Sequence, residues 1–336
     1  MGERREQLSQ WLSDQCGLHH GSLEPASGDA SFRRYFRTFD GGRSYIAVDA
    51  PPEQEDSRPF ARIAGWLVEW GLTAPRIIEM DLERGFMLLS DLGTRLYLHE
   101  LEGATVERLY GDALGALAVM QVHGSQVVDQ IPPYDEALLR SEMALFDEWY
   151  LNRHLSLRLT GEQQAILATT YQRLAESALG QPRVFVHRDY HSRNLTCTPQ
   201  NNPGILDFQD AVWGPCTYDL VSLLRDCYIQ WPVERVRGWA LGYLELARQS
   251  GVLPSCDEDQ FMRWFDLMGM QRHLKATGIF ARLNYRDGKP GYLPDIPRTL
   301  GYVNEVCANY PEFSEFRTML AEMKAMPEDR VSENGP

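Results

Sequence analysis

A chain of 336 residues exceeds what one hydrophobic core usually serves, so one large domain or two packed lobes are the choices left open. A hydrophobic fraction of 43% is ample for burial, while a formal charge of -14 argues against a general nucleic-acid surface, which requires clustered Lys and Arg. No apolar run is long enough to cross a membrane, the charged first residues lack the apolar core of a signal peptide, and the six Cys are scattered without a CxxC pair, so a reducing cytoplasm is expected and a structural zinc site is not.

Leu8, Trp11 and Leu12 recur at i, i+3 and i+4 and predict a helix over 4–16. From Leu23 to Val48 the chain is rich in aromatic and β-branched residues. This predicts three antiparallel strands at 22–26, 32–39 and 43–49, with a loop at Ser27-Gly28-Asp29-Ala30-Ser31 and a tight turn at Gly41-Gly42. A helix over 57–70 ends at Gly71, and strands at 75–79 and 85–90 complete a five-stranded sheet with one main helix. Beyond Arg95 the pattern is helical over 104–122, 135–152, 161–179, 218–227, 233–250, 257–283 and 296–310, and short strands interrupt it only within 184–208. The fold class expected is α+β. A small antiparallel lobe over 1–93 is joined through Leu89-Ser90-Asp91-Leu92-Gly93 to a larger, mostly helical lobe over 94–326, with a polar, frayed tail at 327–336.

The interruption carries the chemistry. Val184-Phe185-Val186 and Gly204-Ile205-Leu206 read as short strands, each setting polar residues at its end. The first is followed by His187-Arg188-Asp189-Tyr190-His191-Ser192-Arg193-Asn194, the second by Asp207-Phe208-Gln209. An aspartate, a carboxamide five residues on, and a second aspartate after an apolar strand match, in order, the protein-kinase set for moving a phosphoryl group to a hydroxyl. Asp189 is the candidate catalytic base; with an ordinary carboxylate pKa, its larger task is to align the attacking hydroxyl with the γ-phosphate. Asn194 and Asp207 offer the hard oxygens that magnesium prefers.

These motifs, and the order of elements along nearly the whole chain, resemble the aminoglycoside phosphotransferase family of small-molecule kinases. The resemblance implies a bilobal protein-kinase-like fold with ATP and Mg2+ as phosphoryl donor. Protein kinases differ directly after the motif. Here Gly214-Pro215 and Tyr218-Asp219-Leu220 open a helix too soon after Asp207 for an activation segment, so the expected acceptor is a small soluble molecule, with no obligatory protein partner. Within the family, Gly28-Asp29-Ala30-Ser31-Phe32-Arg33-Arg34-Tyr35-Phe36-Arg37 and Val48-Asp49-Ala50-Pro51-Pro52 resemble members that phosphorylate the anomeric hydroxyl of N-acetylmuramate and N-acetylglucosamine in peptidoglycan recycling. An N-acetylated amino sugar is the acceptor this implies, and a sugar 1-phosphate the product. The alternatives are an aminoglycoside, a choline-like alcohol, or a pseudokinase-like binding module; the intact Asp189, Asn194 and Asp207 speak against the last.

Other residues take supporting parts. His187 is expected to orient the loop through a backbone hydrogen bond, and Asp219 to fix it through backbone amides or to cap its own helix. Arg188 and His191 flank the base, within reach of a sugar hydroxyl or a phosphate; with Gln209, Arg225 and Asp226 they are the acceptor-site candidates. Gly28, Asp29, Ala30 and Ser31 form either a plain turn or a loop whose N–H groups fold over the ATP phosphates. Ala47 is expected at the adenine, and the linker backbone at Leu89, Asp91 and Leu92 beside it.

The chain also departs from the kinase pattern. Its lysines are Lys275, Lys289 and Lys324, so the small lobe lacks the phosphate-binding Lys. Aligning Ile46-Ala47-Val48-Asp49 with Val-Ala-Ile-Lys puts Asp49 in its place, and Phe60 or Ala61 stands where its partner Glu is sought. An arginine held by Asp49 is the expected substitute, with alternation allowing Arg34 alone or the Arg33/Arg37 face. On the helix over 257–283, Arg272, Lys275 and Arg282 form a basic stripe, either solvated or placed for the acceptor's carboxylate. Trp213, Tyr228, Trp231 and Tyr285 could stack on a sugar or pack in the core.

Overall fold

The structure is a computed structural model that describes residues 2–18, 22–27 and 32–324. The loop residues Gly28, Asp29, Ala30 and Ser31 and the tail at 327–336 lie outside the described residues.

Helix α1 (Gly2–Cys16) precedes strands β1 (Glu24–Ser27), β2 (Arg34–Asp40) and β3 (Arg43–Asp49), helix α2 (Arg58–Glu69), and strands β4 (Ile77–Asp81) and β5 (Phe86–Ser90). The strands form one five-stranded antiparallel sheet in the order β1-β2-β3-β5-β4. The β2–β3 hairpin turns at Gly41 and Gly42, whose φ of 52° and 82° are the left-handed values that a two-residue turn between twisted strands requires. Register then decides what each face carries. Arg34 pairs with Asp49 and Asp49 with Phe86, while Phe36 pairs with Ala47 and Ala47 with Leu88, so these six share one face. Helix α1 covers that face: Leu8, Trp11 and Leu12 cluster with Phe36, Ala47, Phe86 and Leu88. Val48, Met87 and Leu89 point the other way and are equally buried, so both faces of the sheet are covered.

The remainder is helical, interrupted by two short strand pairs around residue 200. It comprises α3 (Tyr97–Glu100), α4 (Val106–Gly124), α5 (Glu136–Leu145), α6 (Gly161–Leu179), β6 (Arg183–Val186), β7 (Leu195–Thr196), β8 (Gly204–Ile205), β9 (Val212–Pro215), α7 (Tyr218–Leu224), α8 (Val233–Gln249), α9 (Glu258–Tyr285), α10 (Ile296–Asn309) and α11 (Ser314–Lys324). Local chemistry sets several starts. Thr160 and Gln163 form a capping box on α6, and Asp135 and Asp257 accept N–H groups at the starts of α5 and α9. The helix expected over 135–152 divides, with α5 passing into a π-helical stretch, Phe146–His154. Gly214-Pro215, expected to open a helix, instead ends β9, whose pairing with β6 is a long-range contact that local pattern does not announce.

Packing divides the chain into two compact units, residues 1–120 with 192–210, and residues 121–191 with 211–336. The Leu89–Gly93 linker lies within the first. In the second, Gly278 lets α9 approach the end of α5 closely: a Cβ there would fall on the backbone carbonyl of Leu145. Gly278→Ala should therefore lower unfolding stability by about 2–3 kcal/mol, the range for overpacking a tight core, as read from urea denaturation. Among the described residues, no helix is long and apolar enough to cross a membrane.

Candidate active site

In the first unit, the ladder between β7 and β8 is extended by the Leu206 N–H donating to the Asn194 carbonyl at 2.9 Å, which brings Asn194 and Asp207 to one end. Asn194 Nδ2 donates to Asp207 Oδ2 at 3.2 Å, and Gln209 Nε2 donates to Asp207 Oδ1 at 2.8 Å. Gln209, expected at the acceptor, is thus engaged with Asp207, the candidate metal ligand. Asp207 has a φ of 61°, uncommon for a residue with a side chain, and such strain persists only where surroundings over-determine it. Part of that restraint is the next residue: Phe208 is fully buried and stacks on Phe60 of α2 with ring centroids 5.0 Å apart. Phe60, one of the two residues expected where the partner Glu of a kinase is sought, is an apolar anchor. A carboxylate and a carboxamide are donors that suit magnesium. Among the described residues no three His, Cys, Asp or Glu side chains gather into a metal cage, so a cation here would draw its other ligands from nucleotide phosphates and water.

The arginines near the missing lysine separate by strand face. Asp49 is fully buried and accepts from Arg4 Nε and Nη2 at 2.9 and 2.6 Å, and from Arg34 on its other oxygen. This cluster ties α1 to the sheet. Ala47 lies in the core under the same helix, on the same face. The opposite face continues to Arg33 and Arg37. Arg33, 6% exposed, pairs with Glu55 at 3.3 Å and reaches the Asp56 carbonyl just ahead of α2. Arg37 grips Asp91 with bonds of 2.5 and 3.0 Å. Burial would raise the Asp91 carboxyl, but Arg37, the Gly93 N–H and Ser44 hold it below the usual value.

In the second unit, the loop that carries Asp189 hangs from Asp219. This carboxylate, near the start of α7, accepts the His187 N–H at 2.6 Å and the Arg188 N–H at 3.0 Å. Burial lifts the Asp219 carboxyl to about 7, with the two N–H bonds pulling the other way. His187 Nδ1 accepts the Asp189 N–H at 3.2 Å from inside the loop. Arg188 has a φ of 78°, so two residues flanking the candidate chemistry, Arg188 and Asp207, hold left-handed backbone.

Asp189 lies in the wall of a cavity. Helix α9 supplies one side of it through Arg272, Lys275, Ala276, Ile279 and Phe280, spaced i, i+3, i+4, i+7 and i+8. His191, Tyr218, Cys227 and Tyr228 line the rest. The expected stripe is therefore half right: Arg282, ten residues past Arg272, is rotated about 80° off that face, and Ile279 takes the place. Of the aromatic candidates only Tyr228 lines the cavity, its ring 5.4 Å from that of His191. Arg225 is turned to Asp266 at 2.7 Å, and the Asp226 carboxylate accepts the Tyr228 N–H; neither lines the cavity. Burial would push Asp189 up, but Lys275, His191, Arg272 and Arg188 hold it below the usual carboxylate range, so it stands ionised among cations.

One organising residue escapes the motif altogether. Glu142 of α5, 5% exposed, takes Lys275 at 2.8 Å and Arg188 at 2.5 Å, with Tyr134 donating to its other oxygen. Lys275 also donates to Tyr218 Oη at 2.9 Å. The only signal in sequence was an acid inside an apolar helical pattern.

The phosphotransferase enzyme family model matches residues 22–258. The chain is 46% identical over 333 residues to N-acetylmuramate/N-acetylglucosamine kinase of Pseudomonas putida, covering 96% of this chain and 97% of that protein. It is 48% identical to the protein of the same name from Pseudomonas aeruginosa, with 95% and 97% covered. Among solved structures, Plasmodium vivax ethanolamine kinase superposes with a TM-score of 0.63 at 12% identity, over 94% of this chain and 89% of the other. The GDP complex of aminoglycoside 2'-phosphotransferase-IIIa gives 0.62 at 15% identity, over 91% and 99%. The fold is protein-kinase-like, and the chain belongs to the phosphotransferase enzyme family.

Proposed function

We propose that the chain is a Mg-ATP-dependent kinase that transfers the γ-phosphate to the anomeric hydroxyl of N-acetylmuramate and N-acetylglucosamine, giving the sugar 1-phosphate. The observation that carries the reading is an ionised, half-buried Asp189 in the wall of a cavity that also offers cations and aromatic rings, in a chain nearly half identical to kinases named for these sugars. In the reaction, the sugar hydroxyl donates to the Asp189 carboxylate, which aligns it and accepts its proton as the new P–O bond forms and ADP departs. His187 and Asp219 keep the loop, and so the carboxylate, in place. Bound with ATP, Mg2+ supplies charge neutralisation at the phosphates, and Asn194 and Asp207 are the residues to hold it. With ATP as the proposed donor, the reaction belongs to the cytoplasm in this reading.

The nucleotide falls to residues 1–93 with Asn194 and Asp207, the linker backbone at Leu89, Asp91 and Leu92 serving the adenine. For the phosphates we favour Arg33 over Arg34. Arg34 is committed to Asp49 on the face that α1 covers, whereas Arg33 and Glu55 form a guanidinium–carboxylate pair on the other face, at the approach to α2 whose Phe60 stacks on Phe208. Such a pair restores in kind the absent lysine and its partner. Arg33→Ala should raise the KM for ATP about tenfold or more, while Arg34→Ala should leave it within about twofold and lower thermal stability instead. The function itself is tested by 31P NMR of the product formed from each sugar. An acid-labile sugar 1-phosphate is expected; a stable alcohol phosphate, or no turnover of either sugar, would remove the reading.

A further inference from the structure

Two permanent cations line the acceptor cavity, and they are not equivalent. Lys275 is matched: Glu142 stands 2.8 Å away and the Tyr218 hydroxyl 2.9 Å away. Arg272 is not. It is 6% exposed, yet among the described residues no carboxylate oxygen lies within 4.0 Å of its guanidinium. Its Nε is buried without a hydrogen-bond partner, and its Nη1 donates only to the Cys227 thiol, at 3.7 Å. That thiol is a poor substitute for an anion, because burial pushes its own ionisation up. Cys227, Tyr218, Asp189 and Asp226 favour the charge of Arg272 through space. Ala276, Ile279 and Phe280 continue the same helix face beyond it, so the guanidinium sits in a wall that is partly apolar.

A buried guanidinium in this position is expensive unless something completes it. The chain completes the neighbouring Lys275 from within and leaves Arg272 to be met from the cavity. A planar fork of N–H donors matches a carboxylate with two parallel bonds. One of the two acceptors of the proposed reaction, N-acetylmuramate, carries a carboxylate on its lactyl ether; N-acetylglucosamine carries none. The geometry points to Arg272 as the side chain that binds this carboxylate and so sets the preference of the cavity for the acidic sugar over the neutral one. The inference rests on the amino-sugar kinase reading above and deepens it. Lys275 and Arg188, held by Glu142, are by contrast positioned to shape the surroundings of Asp189.

The experiment is a comparison of kcat/KM for N-acetylmuramate and N-acetylglucosamine in wild type, Arg272→Met and Arg272→Lys, with the Tm of each protein. Arg272→Met should lose about 10- to 100-fold on N-acetylmuramate, the range of a charged hydrogen-bond pair, and no more than about threefold on N-acetylglucosamine. Its Tm should hold or rise, since the substitution removes a buried charge that no carboxylate contacts. Arg272→Lys should recover part of the lost preference. Equal losses on both sugars overturn the inference while leaving the kinase reading intact, and would assign the guanidinium to the transferred phosphoryl group. Equal losses with a fall in Tm in both variants overturn it in favour of a merely structural cation. Wild-type protein that turns over neither sugar overturns the reading and the inference together.

Discussion

Asp189→Asn is expected to cut kcat for both amino sugars by about a thousandfold, within the range attributed to a positioned acid or base, while the KM for ATP stays within about threefold. The substitution keeps the shape of the side chain and removes the proton acceptor. It also removes the one ionised carboxylate in the cavity wall that faces Lys275, His191 and Arg272. Steady-state kinetics with saturating ATP, combined with a titration of nucleotide affinity, checks it. A variant that retains a tenth or more of wild-type kcat would show that alignment of the hydroxyl does not depend on this carboxylate.

Glu142→Gln is expected to destabilise the protein by about 3 kcal/mol, the magnitude for breaking a buried ion pair by deleting one partner. Two cations lose their anion at once, Lys275 and Arg188, both substantially buried. The pH dependence has a definite sign. Burial alone would raise the Glu142 carboxyl, but Lys275 and Arg188 bring it below its ordinary value of 4.5, so the native state binds its proton less readily than the unfolded chain does. The stability it contributes is present in full above about pH 4.5 and drains away as pH falls through the native value. The gap in denaturation free energy between wild type and Glu142→Gln should accordingly be widest near neutrality and close on acidification. A gap that is constant from pH 7 to pH 3 would mean that the pair does not hold its cations as ions. Activity should fall too, because Arg188 is next to Asp189, the proposed base, and Lys275 lies in the cavity wall.

The contrast between these two residues also marks where sequence stops being informative. Asp189, Asn194 and Asp207 stand out as candidates because phosphoryl-transfer chemistry imposes fixed spacing within a few residues of strand ends, and a short apolar run before Asp189 and before Asp207 identifies those ends. Asp219 was legible for a similar reason, near the start of a helix that follows closely. Glu142 was not, since its meaning lies in contacts 46 residues away with Arg188 and still further with Lys275, which no local period encodes. The arginines in and just before β2 fall between. Alternation separated Arg34 from Arg33 and Arg37, but only the packing of α1 against the Asp49 face told which set it occupies. On α9 the helical period carried the stripe from Arg272 to Lys275 and then, extended to Arg282, failed by the accumulated angle. The division of the helix over 135–152 and the pairing of β9 with β6 likewise depend on tertiary fit rather than on propensity.

The make-up of the first compact unit has a bearing on synthesis. Residues 1–120 and 192–210 belong to it, and the second unit is interrupted in turn, so neither is a contiguous stretch of chain. Domains generally fold as units during synthesis, beginning from the N-terminus. Here the first unit is complete only once the hairpin at 192–210 is made, after some seventy residues of the other unit have emerged. Completion of the first unit is therefore timed by the chain itself to follow translation of the Asp189 loop, and neither unit can be exchanged between relatives by a single cut.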